Sequence, residues 1–306
     1  MVLRSEAERN RVRRRILRWY ALNGRVLPWR GSTDHYRVLV AEIMSHQTRL
    51  DRVVQLYPLF LKRFPSFHAL ARAPRAEVVI AWKGLGYNSR AVRLHLLAQG
   101  VVHTHRGRIP GSHEAVRALP GVGPYTVHAL MVALHGTDDP VVDVNIRRVL
   151  SRIFWRMRTT ADLRPEREIW DLAARLVPRG RGYDWSQALM DVGAMICTAR
   201  APRCVGCPVA GECASAGRIR PAPRQPSTVE PSVRGIPRRI IRGRVVEALR
   251  SGKTGLTLRE LGPRVIQDFA RKDVGGLARI LGGLRRDGLI RLDGKPDRAG
   301  TEVRLA

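Results

Sequence analysis

All four cysteines of this 306-residue chain lie in one short stretch, at Cys197, Cys204, Cys207 and Cys213. The intervals between them contain six, two and five residues. Four thiolates so close in sequence can ligate a single metal centre. A fold that uses them in this way must bring the four side chains to one place.

Three arrangements of the cysteines compete. Two disulfide bonds are disfavoured, because no secretory signal precedes the cysteines and a long cytosolic chain does not need such cross-links. A structural zinc site is a rival, although zinc ribbons usually repeat a pair of cysteines two residues apart, and that pair occurs once here. The spacing favours a [4Fe–4S] cluster and leaves zinc open.

The charge of the chain indicates a polyanionic partner. Lysine and arginine together number 55 against 26 acidic residues, which gives a net charge of +29. Nucleotide-composition bias can select arginine over lysine, but it does not explain a deficit of acids. We therefore expect nucleic-acid binding. No apolar run is long enough for a membrane span, and we expect a cytoplasmic, nucleoid-associated protein.

Apolar residues recur at helical spacing through most of the chain, which predicts a mainly α fold. The expected helical segments are Val12–Tyr20, Tyr36–Met44, Val53–Phe64, Val78–Trp82, Ala91–Val102, His113–Ala118, Tyr125–Leu134, Ile146–Phe154, Glu168–Leu176 and Trp185–Ile196. We predict one domain over residues 1–216, followed by a proline- and arginine-rich linker over 217–237.

Residues 238–306 are predicted to form a small separate domain. Its expected helices are Ile240–Leu249, a second that begins at Leu258 after a Thr257–Glu260 capping box, and Val274–Arg286. Two terminal strands follow, so the domain is similar to a winged helix. Three arginines of the last helix either contact phosphates or form a solvated face, and both interpretations stay open: Arg279, Arg285 and Arg286.

A glycine-rich turn, Leu119-Pro120-Gly121-Val122-Gly123, joins two of the predicted helices. Such a turn before a helix N-terminus presents backbone amides to an anion such as a phosphate. Taken alone, the turn could equally be an ordinary connection between helices. A strongly basic chain and a downstream cysteine cluster favour the phosphate interpretation.

Several motifs in order resemble the helix-hairpin-helix DNA glycosylase superfamily, and within it the MutY-like adenine DNA glycosylases. The resemblance covers about residues 10–215. The motifs are Leu27-Pro28-Trp29-Arg30, Glu42-Ile43-Met44 with Gln47-Thr48, Gly84-Leu85-Gly86-Tyr87, Leu119–Gly123, Val142-Asp143-Val144-Asn145 and the four cysteines. It implies a two-lobed helix-hairpin-helix fold with an iron–sulfur loop.

The resemblance also implies how the protein meets DNA. Family members with this cysteine spacing carry a [4Fe–4S] cluster, and Arg200 and Arg203 between the first two cysteines would contact phosphates. The hairpin residues Leu119, Gly121, Val122 and Gly123 would bind the DNA backbone. Gln47 and Tyr87 match positions that wedge into the duplex when the target base leaves the stack. As alternatives, Gln47 is a surface residue and Tyr87 a core aromatic.

Two carboxyl groups suit the hydrolysis of an N-glycosidic bond, one as acid and one to stabilise the sugar cation. Glu42 lies in an apolar helical segment, which would raise its pKa and keep it protonated. Asp143 precedes a helix whose amides favour the ionised form, and N-capping is a second role that can coexist. By resemblance, Glu42 protonates adenine and Asp143 stabilises the sugar.

The same resemblance assigns supporting roles to three further residues. Asn145 would orient the reacting groups, and Arg25 and Tyr125 would line the same pocket. In the bifunctional endonuclease III branch a lysine occupies the position of Tyr125 and attacks the sugar. A tyrosine there predicts a monofunctional glycosylase with weak or no strand cleavage.

The chain departs from the adenine-glycosylase pattern where that pattern meets the mismatch. The departures are Ser45-His46 before Gln47, Asn88 after Tyr87, and Val144 between Asp143 and Asn145. We expect the winged-helix-like region to take the place of the β-rich domain that inspects 8-oxoguanine in that family. We expect a monomer that removes adenine opposite 8-oxoguanine or guanine. A thymine or uracil mismatch glycosylase and a non-catalytic DNA-binding protein remain alternatives.

Overall fold

The computed structural model of the chain describes residues 5–222, 230–250 and 255–306. The helices, in chain order, are α1 (Glu6–Asn23), α2 (His35–Ser45), α3 (Leu50–Arg63), α4 (Phe67–Arg72), α5 (Arg75–Ala81), α6 (Ser89–His105), α7 (His113–Arg117), α8 (Pro124–His135), α9 (Val144–Phe154), α10 (Glu166–Leu176), α11 (Gly182–Met195), α12 (Arg238–Arg250), α13 (Leu258–Val265) and α14 (Val274–Arg286). The strands are β1 (Ser232–Val233), β2 (Ile236–Pro237), β3 (Leu256–Thr257), β4 (Ile290–Asp293) and β5 (Glu302–Leu305). The expectation of a mainly α protein is confirmed.

The chain forms two compact units. Among the described residues, the first unit comprises 5–34, 110–118 and 122–222, and the second comprises 35–109, 119–121, 230–250 and 255–306. The C-terminal residues predicted as a separate domain therefore share a unit with α2–α6. No helix in the described ranges has the length and apolar character needed to span a membrane.

The core of the first unit is built around α9 and α11. On α9 the apolar side chains recur every three or four residues, so one face is buried. That face is Ile146, Val149, Leu150 and Ile153, all at most 2% exposed. It packs with residues of α1, α10 and α11 in one hydrophobic cluster.

Aromatic side chains fill much of the core of the second unit around α2–α6. The rings of Tyr36 and Phe67 meet edge to face with centroids 5.1 Å apart, and Phe60 meets Trp82 in the same way at 5.8 Å. Phe67 begins α4, a helix of six residues that the sequence analysis did not predict. Its length is less than two helical turns, so it offers almost no periodicity to detect.

The C-terminal part of the second unit has a winged-helix-like arrangement. Strands β3, β5 and β4 form an antiparallel sheet in that order beside α12, α13 and α14. The predicted capping box at α13 is confirmed, because Thr257 accepts from the amide of Glu260 and Glu260 accepts from the amide of Thr257.

The stretch predicted as a linker over 217–237 contains regular structure at its C-terminal end. Its central residues 223–229 lie outside the described residues. Residues 232–237 form the β1–β2 hairpin instead of an extended segment. Arg234 and Gly235 at its turn both have positive φ, 50° and 73°, as a tight hairpin requires. The surrounding prolines concealed this turn in the sequence.

Candidate nucleic-acid interface and metal centre

The four cysteines line one cavity at the end of α11 in the first unit. The cavity also contains apolar side chains from α9, from α11 and from the loop itself: Val149, Ile153, Val192, Ile196 and Val209. Cys207 donates its amide to the carbonyl of Cys204 at 3.2 Å, which closes a tight turn between these two residues. The fold therefore gathers the side chains that the spacing predicted to act together.

Two buried arginines of α9 hold the cysteine loop. Arg148 donates from Nε to the carbonyl of Cys197 at 2.8 Å. Arg152 donates to the carbonyls of Thr198 and Ala199 at 2.7 and 3.0 Å, and its Nη1 lies 3.4 Å from the Cys197 Sγ. The sequence analysis missed both arginines. A sign of them in the sequence was their spacing of four residues, which places both arginines on the same side of α9 as apolar residues.

The chemistry of the cavity fits a group bound by four thiolates. Burial raises the pKa of Cys207 to about 11, and the neighbouring cysteines add to the increase. Thiolates in such surroundings need positive charge nearby, which a metal supplies directly. Arg152 beside Cys197 adds a further positive charge. Arg200 and Arg203 of the same loop are exposed, as an anion-binding role requires.

Asp143 is the N-cap of α9, and each of its carboxylate oxygens accepts a hydrogen bond. Oδ1 accepts from the amide of Ile146 at 2.6 Å, and Oδ2 accepts from Asn145 Nδ2 at 2.7 Å. Burial nevertheless raises the pKa of Asp143 above its ordinary value, against the lowering by these hydrogen bonds. The helix amides do favour the ionised form, as expected, but desolvation is the larger effect and sets the net direction.

Asn145 is fixed between α9 and α11. Its Oδ1 accepts from Arg148 at 2.8 Å, which orients Nδ2 towards Asp143. The backbone of Gly193 on α11 lies so close that an added Cβ would be 2.8 Å from the Cβ of Asn145. Close packing at this glycine therefore positions the amide that contacts the Asp143 carboxylate.

Arg25 makes a structural contact in the first unit that the sequence analysis did not anticipate. Its backbone amide and Nε donate to the buried carboxylate of Asp191 at 2.8 and 2.7 Å. Arg30 donates two further hydrogen bonds to the same carboxylate, each of 2.7 Å. These hydrogen bonds lower the pKa of Asp191 against its burial. Tyr125 near the start of α8 is partly buried against the core of the first unit.

Glu42 lies on α2 in the second unit, between the buried residues Ala41 and Ile43. Its side chain is 19% exposed. The Nε2 of His46, one helical turn later, is 3.0 Å from Glu42 Oε1. A titratable imidazole therefore contacts the carboxyl group that was predicted to act as the acid.

Gln47 and Tyr87, the two predicted wedge residues, share an unusual backbone conformation. Their φ angles are 53° and 42°, in the left-handed region that non-glycine residues seldom adopt. Both side chains are exposed, Tyr87 to 62%. Tyr87 is therefore not a core aromatic. Strained, exposed residues of this kind concentrate at functional sites.

The buried guanidinium of Arg90 joins the two loops that carry Gln47 and Tyr87. It donates to the carbonyls of Ile43 and Met44 at 2.9 Å each. It also donates to the Thr48 hydroxyl at 2.7 Å and to the carbonyls of Leu85 and Gly86, which it reaches at 2.9 and 3.2 Å. Burial lowers the pKa of Arg90 to about 10, so it stays charged at neutral pH. The sequence analysis missed this residue.

A second arginine contacts the Tyr87 loop from α12. Arg250, with a side chain 7% exposed, donates to the carbonyl of Val79 at 2.8 Å and to Asn88 Oδ1 at 2.9 Å. On the same helix, Glu247 pairs with Lys83. The C-terminal region therefore contacts both ends of the segment from Lys83 to Asn88. One departure from the adenine-glycosylase pattern, Asn88, is a partner in this contact.

The glycine-rich turn leads into α8 as predicted. Gly121 has a φ of 77°, a value that a side chain would disfavour. Gly123 is the N-cap of α8 and Pro124 its first residue, so no side chain caps this helix. The N-terminus of α8 therefore presents the positive end of the helix to an anion.

Comparisons with known proteins are consistent with this geometry. The model of the HhH-GPD superfamily of base excision DNA repair proteins matches residues 40–175. The adenine DNA glycosylase of Mycobacterium tuberculosis (strain CDC 1551 / Oshkosh) is 35% identical over 90% of this chain and 88% of that protein. The chain belongs to the HhH-GPD superfamily. The predicted helix-hairpin-helix fold and DNA glycosylase activity are thereby confirmed.

Proteins named thymine-DNA glycosylases are also similar to this chain. The thymine-DNA glycosylase of Aeropyrum pernix is 34% identical over 66% of this chain and 92% of that protein. The solved structure of a thermostable thymine-DNA glycosylase superimposes with a TM-score of 0.63 at 33% identity, and covers 68% of this chain and 95% of that one. The HhH-GPD match includes Glu42 and Asp143 and ends before the cysteines.

Proposed function

We propose that the protein is a monofunctional glycosylase that removes adenine mispaired with 8-oxoguanine or guanine from double-stranded DNA. The similarity to a mycobacterial adenine DNA glycosylase carries this proposal, because it spans 90% of the chain and so extends into the C-terminal region. The similarity to a thymine-DNA glycosylase spans 66%. The expected setting is a monomer acting on DNA in the cytoplasm.

Glu42 and Asp143 would perform the two parts of the hydrolysis. Protonation of the adenine ring by Glu42 makes the base a better leaving group, as in glycoside hydrolysis. The Asp143 carboxylate would stabilise the positive sugar, and Asn145 orients it through the 2.7 Å hydrogen bond. A raised pKa of Asp143 also makes its ionised form more basic and a better partner for a developing cation.

Gln47 and Tyr87 would enter the duplex as the adenine leaves the base stack. Both are exposed and held in a left-handed backbone conformation. Arg90 fixes the two loops to each other, which lowers the entropy that DNA binding would otherwise cost. Tyr125 has no amine, so attack on the sugar to form a Schiff base is not available from this position.

The four cysteines would hold a [4Fe–4S] cluster, which would supply a structural cross-link and no chemistry to the hydrolysis. The donor set of four thiols, the shared cavity and the adjacent Arg152 support this assignment. Protein isolated without oxygen should be brown and contain iron. Replacement of Cys204 by serine should remove the iron, whereas colourless protein with one equivalent of zinc would contradict the assignment.

The direct test of substrate is single-turnover base release from duplexes that contain A:8-oxoG, A:G, T:G or U:G. We expect release of adenine from the first two, revealed as strand breaks after piperidine treatment. Release of thymine or uracil with adenine untouched would favour the alternative that the A. pernix similarity suggests. A Glu42→Gln variant should bind the A:8-oxoG duplex but release base at least 100-fold more slowly.

A further inference from the structure

We propose that His113, His128 and Asp139 form a binding site for a divalent transition metal, with Zn²⁺ as the best match. The three residues lie in the first unit, on α7, on α8 and in the loop after α8. One donor atom from each lies within 4.8 Å of the others. Two imidazoles and one carboxylate form a common donor set for zinc. None of the three residues is a cysteine of the cluster or one of the two carboxyl groups proposed for hydrolysis.

The two distances from the histidines to Asp139 lie on either side of the value that a bound zinc ion would require. His113 Nε2 lies 2.9 Å from one carboxylate oxygen of Asp139, and His128 Nδ1 lies 3.7 Å from the other. Metal–ligand bonds of about 2.0–2.1 Å at a tetrahedral centre separate neighbouring donors by about 3.3 Å. These two distances lie within about 0.4 Å of that value, and all three donors lie within 4.8 Å of one another, so side-chain rotation would have to bring them onto one ion.

His128 Nδ1 is the observation that favours a ligand over a simple ion pair. This atom is buried and has no hydrogen-bond partner among the described residues. Its distance of 3.7 Å from the Asp139 carboxylate is too long for a hydrogen bond. The ring is held against Trp170, with centroids 5.0 Å apart. A buried nitrogen without a partner costs free energy, and coordination of a cation would satisfy it.

The Asp139 carboxylate is positioned before any metal binds. Thr137 donates its hydroxyl to the oxygen that also faces His113. The neighbouring Asp138 accepts the amides of Gly180 and Gly182 at 2.7 and 3.1 Å, which fixes the loop to the start of α11. Supporting contacts of this kind orient metal ligands and raise their affinity.

A metal at this position would cross-link the two helices on either side of the glycine-rich turn. His113 is the first residue of α7, and His128 lies inside α8. The His113 side chain is 47% exposed, so water can complete the coordination. Three protein ligands plus water would stabilise the arrangement of α7 and α8. The alternative is a His113–Asp139 ion pair beside an unsatisfied His128, with no metal.

The test is equilibrium dialysis of the full-length protein against Zn²⁺, with zinc and iron measured in the same samples. Four proteins are compared: the wild type, His113→Gln, Asp139→Asn and the matched control His103→Gln, which removes an exposed histidine of α6. We expect the wild type and the control to bind one zinc that His113→Gln and Asp139→Asn bind at least tenfold more weakly. Iron should be equal in all four.

A second measurement separates this site from the cysteines and from loss of folding. Zinc should raise the melting temperature of the wild type and the control, but not that of His113→Gln, whose melting temperature without zinc should be unchanged. A Cys204→Ser variant should keep the zinc while losing iron. The proposal is overturned if His113→Gln and Asp139→Asn bind zinc as tightly as the wild type. It is also overturned if the Cys204→Ser variant no longer binds zinc.

Discussion

At the scale of single residues, Asp143 combines a structural role as a helix N-cap with the catalytic role proposed for it. Its carboxylate begins α9 by accepting the amide of Ile146, and it is oriented by Asn145. Desolvation of the same carboxylate raises its pKa. Burial therefore makes the ionised form of this carboxylate energetically more expensive, as is common for groups at functional sites.

The raised pKa of Asp143 predicts how the rate of adenine release changes at low pH. The ordinary value is 3.8, and the value in the folded protein lies above it. As pH falls through this raised value, Asp143 takes up a proton and no longer stabilises a sugar cation. Single-turnover adenine release should therefore decline with an apparent pKa above 3.8. A profile flat down to pH 4 would exclude the ionised Asp143 from the rate-limiting step.

Arg90 should be more important for stability than any exposed arginine. An Arg90→Lys variant keeps the charge but cannot reach five acceptors in two loops at once, so several of these hydrogen bonds are lost. We expect a loss of roughly 1–3 kcal/mol in the free energy of unfolding. The control Arg93→Lys, on the exposed side of α6, should change little. Urea denaturation of both variants measures the two changes in the free energy of unfolding.

Sequence alone selected Glu42, Asp143, Gln47 and Tyr87 as candidates through motifs, and the cysteines as candidate ligands through spacing. It did not identify Arg90, Arg148 or Arg152. In a chain whose positive charge is mostly exposed arginine, a buried arginine has no distinctive local pattern. Its partners are backbone carbonyls, which any sequence provides, so its role emerges only from the fold.

At the scale of elements, the contact of α9 with α11 depends on Gly193. The hydrogen bond from Arg148 to the Gly193 carbonyl is 2.7 Å, and no room remains for a side chain beside Asn145. A glycine is needed at this position because the two helices approach each other so closely.

A Gly193→Ala substitution should therefore displace Asn145 and slow base release. Overpacking of this kind costs about 1–3 kcal/mol, and the loss of orientation at Asp143 should lower the single-turnover rate at least tenfold. Gly243 provides the matched control, because it is also helical and an added methyl there meets nothing within 4 Å. Equal activity of the two alanine variants would contradict the role assigned to this contact.

Helix α12 should influence the Tyr87 loop through Arg250. In an Arg250→Ala variant the hydrogen bonds to Val79 and Asn88 are lost, and we expect weaker binding to a mismatch duplex. Combination with Asn88→Ala should show a coupling of about 1 kcal/mol in a double-mutant cycle. Arg239→Ala on the exposed side of α12 is the control. Additive effects would mean that the two residues act separately.

Helices long enough to repeat the apolar pattern over several turns were predictable from the sequence, and the short elements were not. Of the eleven α-helices in the described residues 5–216, ten were predicted from the sequence, and α4, which has six residues, was missed. The β1–β2 hairpin was also missed, because its turn is Arg234-Gly235 within a proline-rich stretch. The side chain of Arg234 in this turn donates a hydrogen bond of 2.9 Å to the carboxylate of Asp273, which is far away in the sequence.

At the scale of the whole molecule, the net charge of +29 should dominate the dependence of DNA affinity on salt. Arg279, Arg285 and Arg286 on α14 are exposed, as both open interpretations of this helix require. If they contact phosphates, replacing all three by glutamine should reduce the slope of log K against log salt by about 0.9 for each contact.

The control for this prediction is a variant that loses the same number of positive charges at another helix. Arg167, Arg175 and Arg179, in and just after α10, are also exposed. We expect a larger reduction in slope from the α14 variant than from the α10 variant, measured by fluorescence anisotropy with one duplex over a range of salt. Equal reductions would assign the α14 arginines to the general positive field of the protein.

Helix α9 fixes the distance between the carboxylate proposed for catalysis and the loop that carries the cysteines. Asp143 is the N-cap of this helix, and Arg148 and Arg152, nearer its C-terminus, hold the cysteine loop. One residue inserted within this helix would rotate everything beyond it by about 100°. Asp143 would keep its place while both arginines turned away from the loop. Evolution can therefore exchange side chains along α9 far more easily than it can change the number of residues in it.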